Sequence, residues 1–271
     1  MNPQVRFAMI FYVITLGFAI GVRLLVPFVA ESSALLTMLT PALATVIMLI
    51  TLDPATDWRR ALVDLGMTRL GLKAWPLAIL GPTAILFAGL IVLVGLGYTA
   101  ITGLTGSASI GSMALNLLAG LAVGTALAFF EEIGWRGYML PRMAAIGAVP
   151  AMLAVGFLQG VWHLPLLLTT EYYHSTGNPW IVAPMFLVTL TLAGVFFGFL
   201  RVWSGSIWPV ALAHTAVNFS WNISAELSET QSPIVLEYIG GESGAVMIIG
   251  LAIADLLLLR ALANRQFTRG A

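Results

Sequence analysis

The stretch FFEEIGWRGYMLPR, residues 129–142, places two adjacent carboxylates and an arginine directly after a long apolar run. The preceding residues 117–130 carry no charged side chain. An ionisable group at membrane depth costs roughly 2.5–3.5 kcal/mol on insertion scales, so such a group usually faces a cavity or a partner. Glu131 and Glu132 are therefore candidates for chemistry. A Glu–Glu–Arg cluster near a helix end also occurs as an interfacial anchor.

Helical spacing separates the two glutamates. Glu132 and Arg136 are four residues apart, so they share one helix face and are able to pair. Glu131 points about 100° away from Glu132, because a helix has 3.6 residues per turn. The spacing predicts that Glu132 is the partner of Arg136 and that Glu131 is the freer carboxylate. His214 and Asn218 are also four apart and point in one direction.

The remaining polar groups at predicted membrane depth are His163 and Asp255. We expect Pro141 to end its helix near Leu140, which places Glu131 about 13 Å from that end by helix rise. The same rise places His163 about 20 Å and His214 about 12 Å into their own helices. These depths permit the three groups to converge. A single membrane histidine more often makes a helix–helix hydrogen bond than takes part in catalysis, and Asp255 is interpreted as structural.

Composition sets the fold class. The 271 residues are 59% hydrophobic and only 9% charged, with a mean hydropathy of +0.97. Zero net charge does not support nucleic-acid binding, and the absence of cysteine excludes disulfides and thiolate chemistry. The sequence predicts one all-α integral membrane domain over 1–271, a polytopic helix bundle of about eight transmembrane helices. These are 7–29, 34–52, 75–99, 116–140, 150–168, 180–200, 206–224 and 244–264.

Charge predicts the orientation of this bundle. With the N-terminus in the cytoplasm and eight crossings, all Lys and Arg residues except Arg23 fall on the cytoplasmic side. Both termini are then cytoplasmic. Residues 53–74 form the longest gap, and their spacing predicts a short helix in the interface. Since Glu131 and His214 lie nearer the cytoplasmic helix ends, we expect the site to open toward that leaflet.

Three short motifs carry a family resemblance. EEIGWRG resembles the Glu-Glu-x-x-x-Arg motif of the CPBP family, the CAAX-protease and bacteriocin-processing membrane enzymes also called the Abi family. HTAVN is similar to the family's His-x-x-x-Asn motif, and His163 falls where a Phe-x-x-x-His motif supplies a histidine. Here Gln159 stands in place of that phenylalanine and is interpreted as a packing residue. The resemblance covers about 131–218, within a predicted catalytic core at about 116–224.

The resemblance implies intramembrane proteolysis of a membrane-associated protein or peptide, lipidated or not, in a prokaryotic plasma membrane. Glu131 is predicted to be the general base, with His163 orienting the water. His214 and Asn218 are predicted to donate to the oxyanion. Arg136 is expected to hold Glu132 and the helix end.

Several alternatives remain open at this stage. Glu131, His163 and His214 are the right ligand types for a catalytic zinc ion. The spacing His-x-x-x-His is absent, so the expectation is that no metal or other cofactor is required. A proton-coupled carrier also uses buried Glu and His residues, and a non-enzymatic scaffold would bind a partner's tail at the same site. Membrane lipid and a membrane-associated substrate are the expected partners.

Overall fold

We describe a computed structural model over residues 2–26, 30–53, 57–102, 110–173, 177–230 and 232–269. His174, which the sequence suggested to be a solvated loop residue, lies outside these ranges. The described chain is a helical bundle, which confirms the predicted all-α polytopic fold. Its helices are α1 Pro3–Leu25, α2 Ala30–Ile47, α3 Trp58–Asp64, α4 Trp75–Gly95, α5 Ile110–Glu132, α6 Leu140–Met143, α7 Ala148–Thr169, α8 Pro179–Ser204, α9 Trp208–Leu227, α10 Pro233–Val235 and α11 Ala245–Arg269.

Shorter elements extend or join these helices. Antiparallel strands β1 Thr99–Ile101 and β2 Ser228–Thr230 pair beyond the ends of α4 and α9. Irregular helical turns continue several helices. The π-helical turns are Met48–Leu52, Ile133–Met139 and Leu236–Gly240, and the 3₁₀ turns are Leu72–Ala74 and Ala144–Ile146.

The long helices fall on the eight predicted segments, but they are not equally apolar. Within the described residues, 7 helices are long and apolar enough to cross a membrane. The helix that this criterion omits is α9, which has 20 residues and thus the required length. Its composition is more polar because His214, Asn218, Ser220 and Asn222 lie within it. Two of these polar residues, His214 and Asn218, are those that the motif analysis singled out.

Close helix contacts fix the positions of α7 and α8. A Cβ atom added to Gly156 of α7 would lie 2.3 Å from the carbonyl oxygen of Leu190 and 2.8 Å from the Cα of Gly194 on α8. The two backbones therefore touch, as small residues permit between membrane helices. On the other side of the bundle, a Cβ on Gly124 of α5 would meet Thr215 of α9 at 2.5 Å. These contacts join α7 to α8 and α5 to α9, and three of these helices, α5, α7 and α9, carry motif residues.

The predicted helix end at Pro141 is wrong. The helical path continues from α5 through the π-helical turn Ile133–Met139 into α6, and it stops at Gly147, whose φ is 101°. Proline lacks an N–H donor, but it fits the first turn of a helix, where that donor is unpaired. The π-helical turn makes Pro141 a first-turn residue of α6. Pro150 occupies the first turn of α7, as predicted.

The segment 57–74 contains the expected short helix, α3, which begins after the N-cap Asp57. This segment covers the end of the bundle where α8 meets α9. Arg201 donates to the carbonyl of Asp64 at 2.7 Å, and the Trp208 indole donates to the carbonyl of Met67 at 3.0 Å. The amide of Ile207 donates to the carbonyl of Gly66 at 3.1 Å. These bonds close that end of the bundle.

Candidate active site

The motif residues surround one cavity inside the bundle. Its volume is about 310 Å³, and α5, α7, α8 and α9 supply most of its inner wall. Glu131, His163, His214 and Asn218 all line it, so the three helices whose depths permitted convergence do meet at one cavity. Glu132 and Arg136 lie behind the wall. Asp255 of α11 does not line the cavity, and neither of its buried carboxylate oxygens has a hydrogen-bond partner among the described residues.

Glu132 forms the predicted ion pair with Arg136. The Nη1 atom of Arg136 lies 3.0 Å from Oε2 and 3.1 Å from Oε1 of Glu132, and both side chains are fully buried. The guanidinium also lies over the Phe197 ring, 4.9 Å from its centroid. Removing one partner of a buried pair leaves an uncompensated charge, so each residue fixes the other. Glu132 is therefore committed to Arg136.

Gln159 connects the ion pair to Glu131. Its side-chain oxygen accepts from Arg136 Nη1 at 2.6 Å, and its amide nitrogen donates to Oε2 of Glu131 at 3.3 Å. The interpretation of Gln159 as a packing residue is wrong, because a buried amide at this position links two helices. A buried glutamine close to a membrane histidine is the signal that would have revealed this role, since buried amides need partners.

Glu131 keeps its carboxylate largely available to the cavity. Within the described part of the chain, its hydrogen bond from Gln159 is a long one at 3.3 Å. The carboxylate lines the cavity, whereas that of Glu132 does not. The predicted difference between the two neighbours is confirmed, and it follows from the 100° between adjacent helical residues.

His163 is oriented by its own helix. Its Nδ1 lies 2.8 Å from the carbonyl oxygen of Gln159. A carbonyl only accepts, so Nδ1 carries a proton, and Nε2 remains available to the cavity. Aromatic neighbours hold the ring by edge contacts at centroid distances of 4.5 Å to Trp162, 5.2 Å to Phe186 and 5.5 Å to Tyr173. The ring is thus held in one orientation beside the cavity.

His214 is oriented by Glu132. Its Nδ1 lies 2.9 Å from Oε1 of Glu132, which leaves Nε2 for the cavity. Phe197 stacks on this ring at a centroid distance of 6.0 Å and an interplanar angle of 24°. Asn218, one turn further along α9, lines the same cavity and makes no side-chain hydrogen bond to the described residues. Both groups are therefore free to donate to a bound molecule.

The cavity opens away from the end that we expected. Its lining continues from the site to Tyr172 and Tyr173 after α7, to Asn222 late in α9, and to Glu242 and Ser243 before α11. In the predicted topology these segments lie on the far side from the cytoplasm. The expectation of a cytoplasmic opening used only depth along individual helices, and it does not agree with the predicted topology, because segment 57–74 covers the end that this topology places in the cytoplasm.

The zinc alternative requires three ligands around one point. Among the residues that the structure describes, no three His, Asp or Glu side chains are grouped to hold a metal ion. The Nδ1 atoms of His163 and His214 are held by a backbone carbonyl and by Glu132, which leaves both Nε2 atoms toward the cavity, as in many metal-ligating histidines. As placed, however, Glu131, His163 and His214 are not grouped around one point as metal ligands.

The fold and site define a polytopic membrane protein with an internal cavity of about 310 Å³, lined by the Glu131 carboxylate and two oriented imidazoles. Residues 112–220 match the family model described as type II CAAX prenyl endopeptidase Rce1-like. The resemblance stated from the three motifs is therefore confirmed, and this segment is a CAAX-protease-type domain in an integral membrane protein. The match supports an intramembrane endopeptidase. Comparison with curated proteins found no match.

Proposed function

We propose that this protein hydrolyses a peptide bond of a membrane-associated protein or peptide, with Glu131 as the general base. One observation carries the assignment: Glu132 is bound by Arg136 and His214 at 3.0 and 2.9 Å, whereas Glu131 faces the cavity with one hydrogen bond at 3.3 Å. A base must be free to take a proton from water. Of the two carboxylates, only Glu131 meets that condition.

In this reaction a water molecule donates one hydrogen bond to Glu131 and one to Nε2 of His163. Glu131 takes the water proton as the oxygen attacks the carbonyl carbon and the carbonyl π bond opens to an oxyanion. The tetrahedral intermediate collapses when the C–N bond breaks, and protonated Glu131 returns the proton to the leaving amine. The products are a carboxyl end and an amine end, so atoms and charge balance.

Nε2–H of His214 and the amide of Asn218 donate to the oxyanion. This role requires both nitrogens of His214 to carry protons, and the Glu132 carboxylate at 2.9 Å supports that form. Preorganised donors of this kind contribute about 10²–10³-fold to kcat in other hydrolases. Arg136 holds Glu132, and through it the His214 ring.

The test compares Glu131→Gln with Glu132→Gln in full-length protein reconstituted in lipid bilayers. The substrates are membrane-anchored peptides, with and without a prenyl group, and products are identified by mass spectrometry. We expect Glu131→Gln to lower kcat about 10²–10⁴-fold. The midpoint temperature of its thermal unfolding should stay near that of the unaltered protein. Glu132→Gln is expected to lower thermal stability because it removes one member of the buried pair. Glu226→Gln, at an exposed position on α9, is the matched control. Full activity in Glu131→Gln would disprove the assignment.

Metal independence is part of the proposal. The water is activated by Glu131 and His163 themselves, so no group needs to change its role to accommodate an ion. The measurement is elemental analysis of chelator-treated protein that still cleaves peptide. Stoichiometric zinc, with activity lost on removal and restored on return, would replace this mechanism with the zinc alternative.

The proposed orientation has both termini in the cytoplasm and the cavity mouth on the opposite side. The chain contains no native cysteine, so single engineered cysteines report cleanly on topology. Arg60→Cys and Glu229→Cys are at exposed positions at opposite ends of the bundle. In sealed right-side-out vesicles, an impermeant maleimide should label Glu229→Cys and not Arg60→Cys. The reverse pattern would place the cavity mouth in the cytoplasm.

A further inference from the structure

Glu242 is a second carboxylate on the wall of the reaction cavity. It lies just before α11, and it also lines a small adjoining pocket together with Glu237. Within the described residues, the Glu242 side chain has no hydrogen bond and no ion pair. The proposed hydrolysis makes no use of it. Burial raises the pKa of Glu242 to about 7, so a cation beside this carboxylate would stabilise its ionised form.

The cavity provides no such cation from lysine or arginine. Its described lining contains Glu131 and Glu242 but neither of those basic residues. Arg136 lies behind the wall and is bound to Glu132. Arg23, toward the same end of the bundle, donates to Thr169 and does not line the cavity. The basic groups on the wall are the two histidines already assigned to the reaction.

Aromatic side chains surround the mouth near Glu242. Tyr173 and Trp221 line both the main cavity and the adjoining pocket with Glu242. Burial, with the carboxylates of Glu131 and Glu242 and the nearby Tyr172 adding to it, raises the pKa of Tyr173 well above its usual range. The phenol therefore stays neutral. Aromatic faces beside a carboxylate form a favourable environment for ammonium and guanidinium groups.

We infer that Glu242, with Tyr173, Trp221 and Asn222, forms a subsite for a basic side chain, lysine or arginine, of the peptide substrate. This inference rests on the proposed peptidase function and names the class of substrate. A lysine or arginine side chain would complement Glu242 and the aromatic rings beside it.

Helix geometry limits where the basic residue lies. Asn218, the proposed oxyanion donor, and Asn222 are one turn apart on α9, and His214 is one turn below Asn218. Along the axis of α9, the helical rise per residue separates Asn222 from Asn218 by about 6 Å and from His214 by about 12 Å. An extended peptide covers about 3.3–3.6 Å per residue. The basic residue is thus expected roughly two to four residues from the cleaved bond.

The experiment moves one lysine along an otherwise neutral membrane-anchored peptide and measures kcat/KM at each position. Nε-acetyl-lysine at the same position is the uncharged reference. We expect lysine to raise kcat/KM about tenfold over the reference at one or two neighbouring positions, as a partly solvated charge pair would. In Glu242→Gln this ratio should fall to about one. In Glu242→Lys the preference should invert in favour of a glutamate-containing peptide. Glu226→Gln, outside the cavity, should keep the lysine preference.

A second measurement separates this inference from the peptidase proposal. Equilibrium binding of the lysine and acetyl-lysine peptides is measured in the Glu131→Gln background, with and without Glu242→Gln. Cleavage without a lysine preference, or with a preference that survives Glu242→Gln, overturns the subsite and leaves the peptidase intact. Lysine-dependent binding that requires Glu242, without cleavage by the unaltered protein, supports the subsite and overturns the peptidase. Absence of both binding and cleavage overturns both.

Discussion

The two halves of one continuous helical path have opposite surroundings. In the first half, α5, the apolar Leu115, Leu118 and Val123 are all more than 60% exposed. In the second half, the π-helical turn Ile133–Met139 and α6, most residues are buried, including the charged Arg136 at 0%, although Pro141 is exposed. Apolar residues thus lie outside and the ionic pair lies inside.

This difference reflects the solvent of each half. Where lipid covers a helix, exposed leucine carries no penalty and supplies no packing. Where charge must be buried, the surrounding helices have to satisfy it and exclude lipid. Phe11, Pro41 and Leu65 come from three separate segments to pack around the buried half. Stability and function should therefore respond to changes in the second half far more than to those in the first.

The largest effect should come from the charge pair. Arg136→Met leaves Glu132 buried with His214 alone, and we expect a loss of about 3–5 kcal/mol in the free energy of unfolding. Denaturant titration in mixed micelles measures this loss. Adding Glu132→Gln to the same protein removes the stranded charge, so the double variant should recover part of the stability. A double variant no more stable than Arg136→Met would contradict the explanation.

A matched pair of leucines tests the same difference between the two halves, with an expected loss of unfolding free energy of intermediate size. Leu140 is 5% exposed and packs in the core, whereas Leu118 is 65% exposed. Leu140→Ala should destabilise the protein by about 2–5 kcal/mol, because it leaves a cavity. Leu118→Ala should stay within about 0.5 kcal/mol. If denaturant titration gave equal losses of unfolding free energy at the two positions, the two halves of the helical path would not differ in packing.

The smallest of the three effects should be overpacking at Gly134. A Cβ there would lie 2.5 Å from Cβ of Pro41 and 2.9 Å from the Phe11 ring, so the neighbours must shift. We expect Gly134→Ala to cost about 1–3 kcal/mol of unfolding free energy. Gly21→Ala is the control, since nothing lies within 4 Å of its added Cβ. Helix propensity alone should make that control neutral or slightly more stable. A Gly134→Ala protein as stable as the control would contradict the close packing.

The sequence alone determined the helical membrane fold and the Glu132–Arg136 pair. Both follow from local rules, namely the apolar length that spans a bilayer and the face shared by residues four apart. The same rules separated Glu131 from Glu132 and grouped His214 with Asn218. The motif spacing was enough to indicate the family, which the match over 112–220 confirmed.

Only the tertiary structure decided the bridge through Gln159, the passage of the helix beyond Pro141, the end at which the cavity opens and the position of Glu242 on its wall. Each depends on segments distant in sequence: Gln159 is on α7 but bonds Arg136 and Glu131, and segment 57–74 closes an end formed by α8 and α9. Helical periodicity defines which face a residue occupies, but it carries no information on which neighbour covers that face.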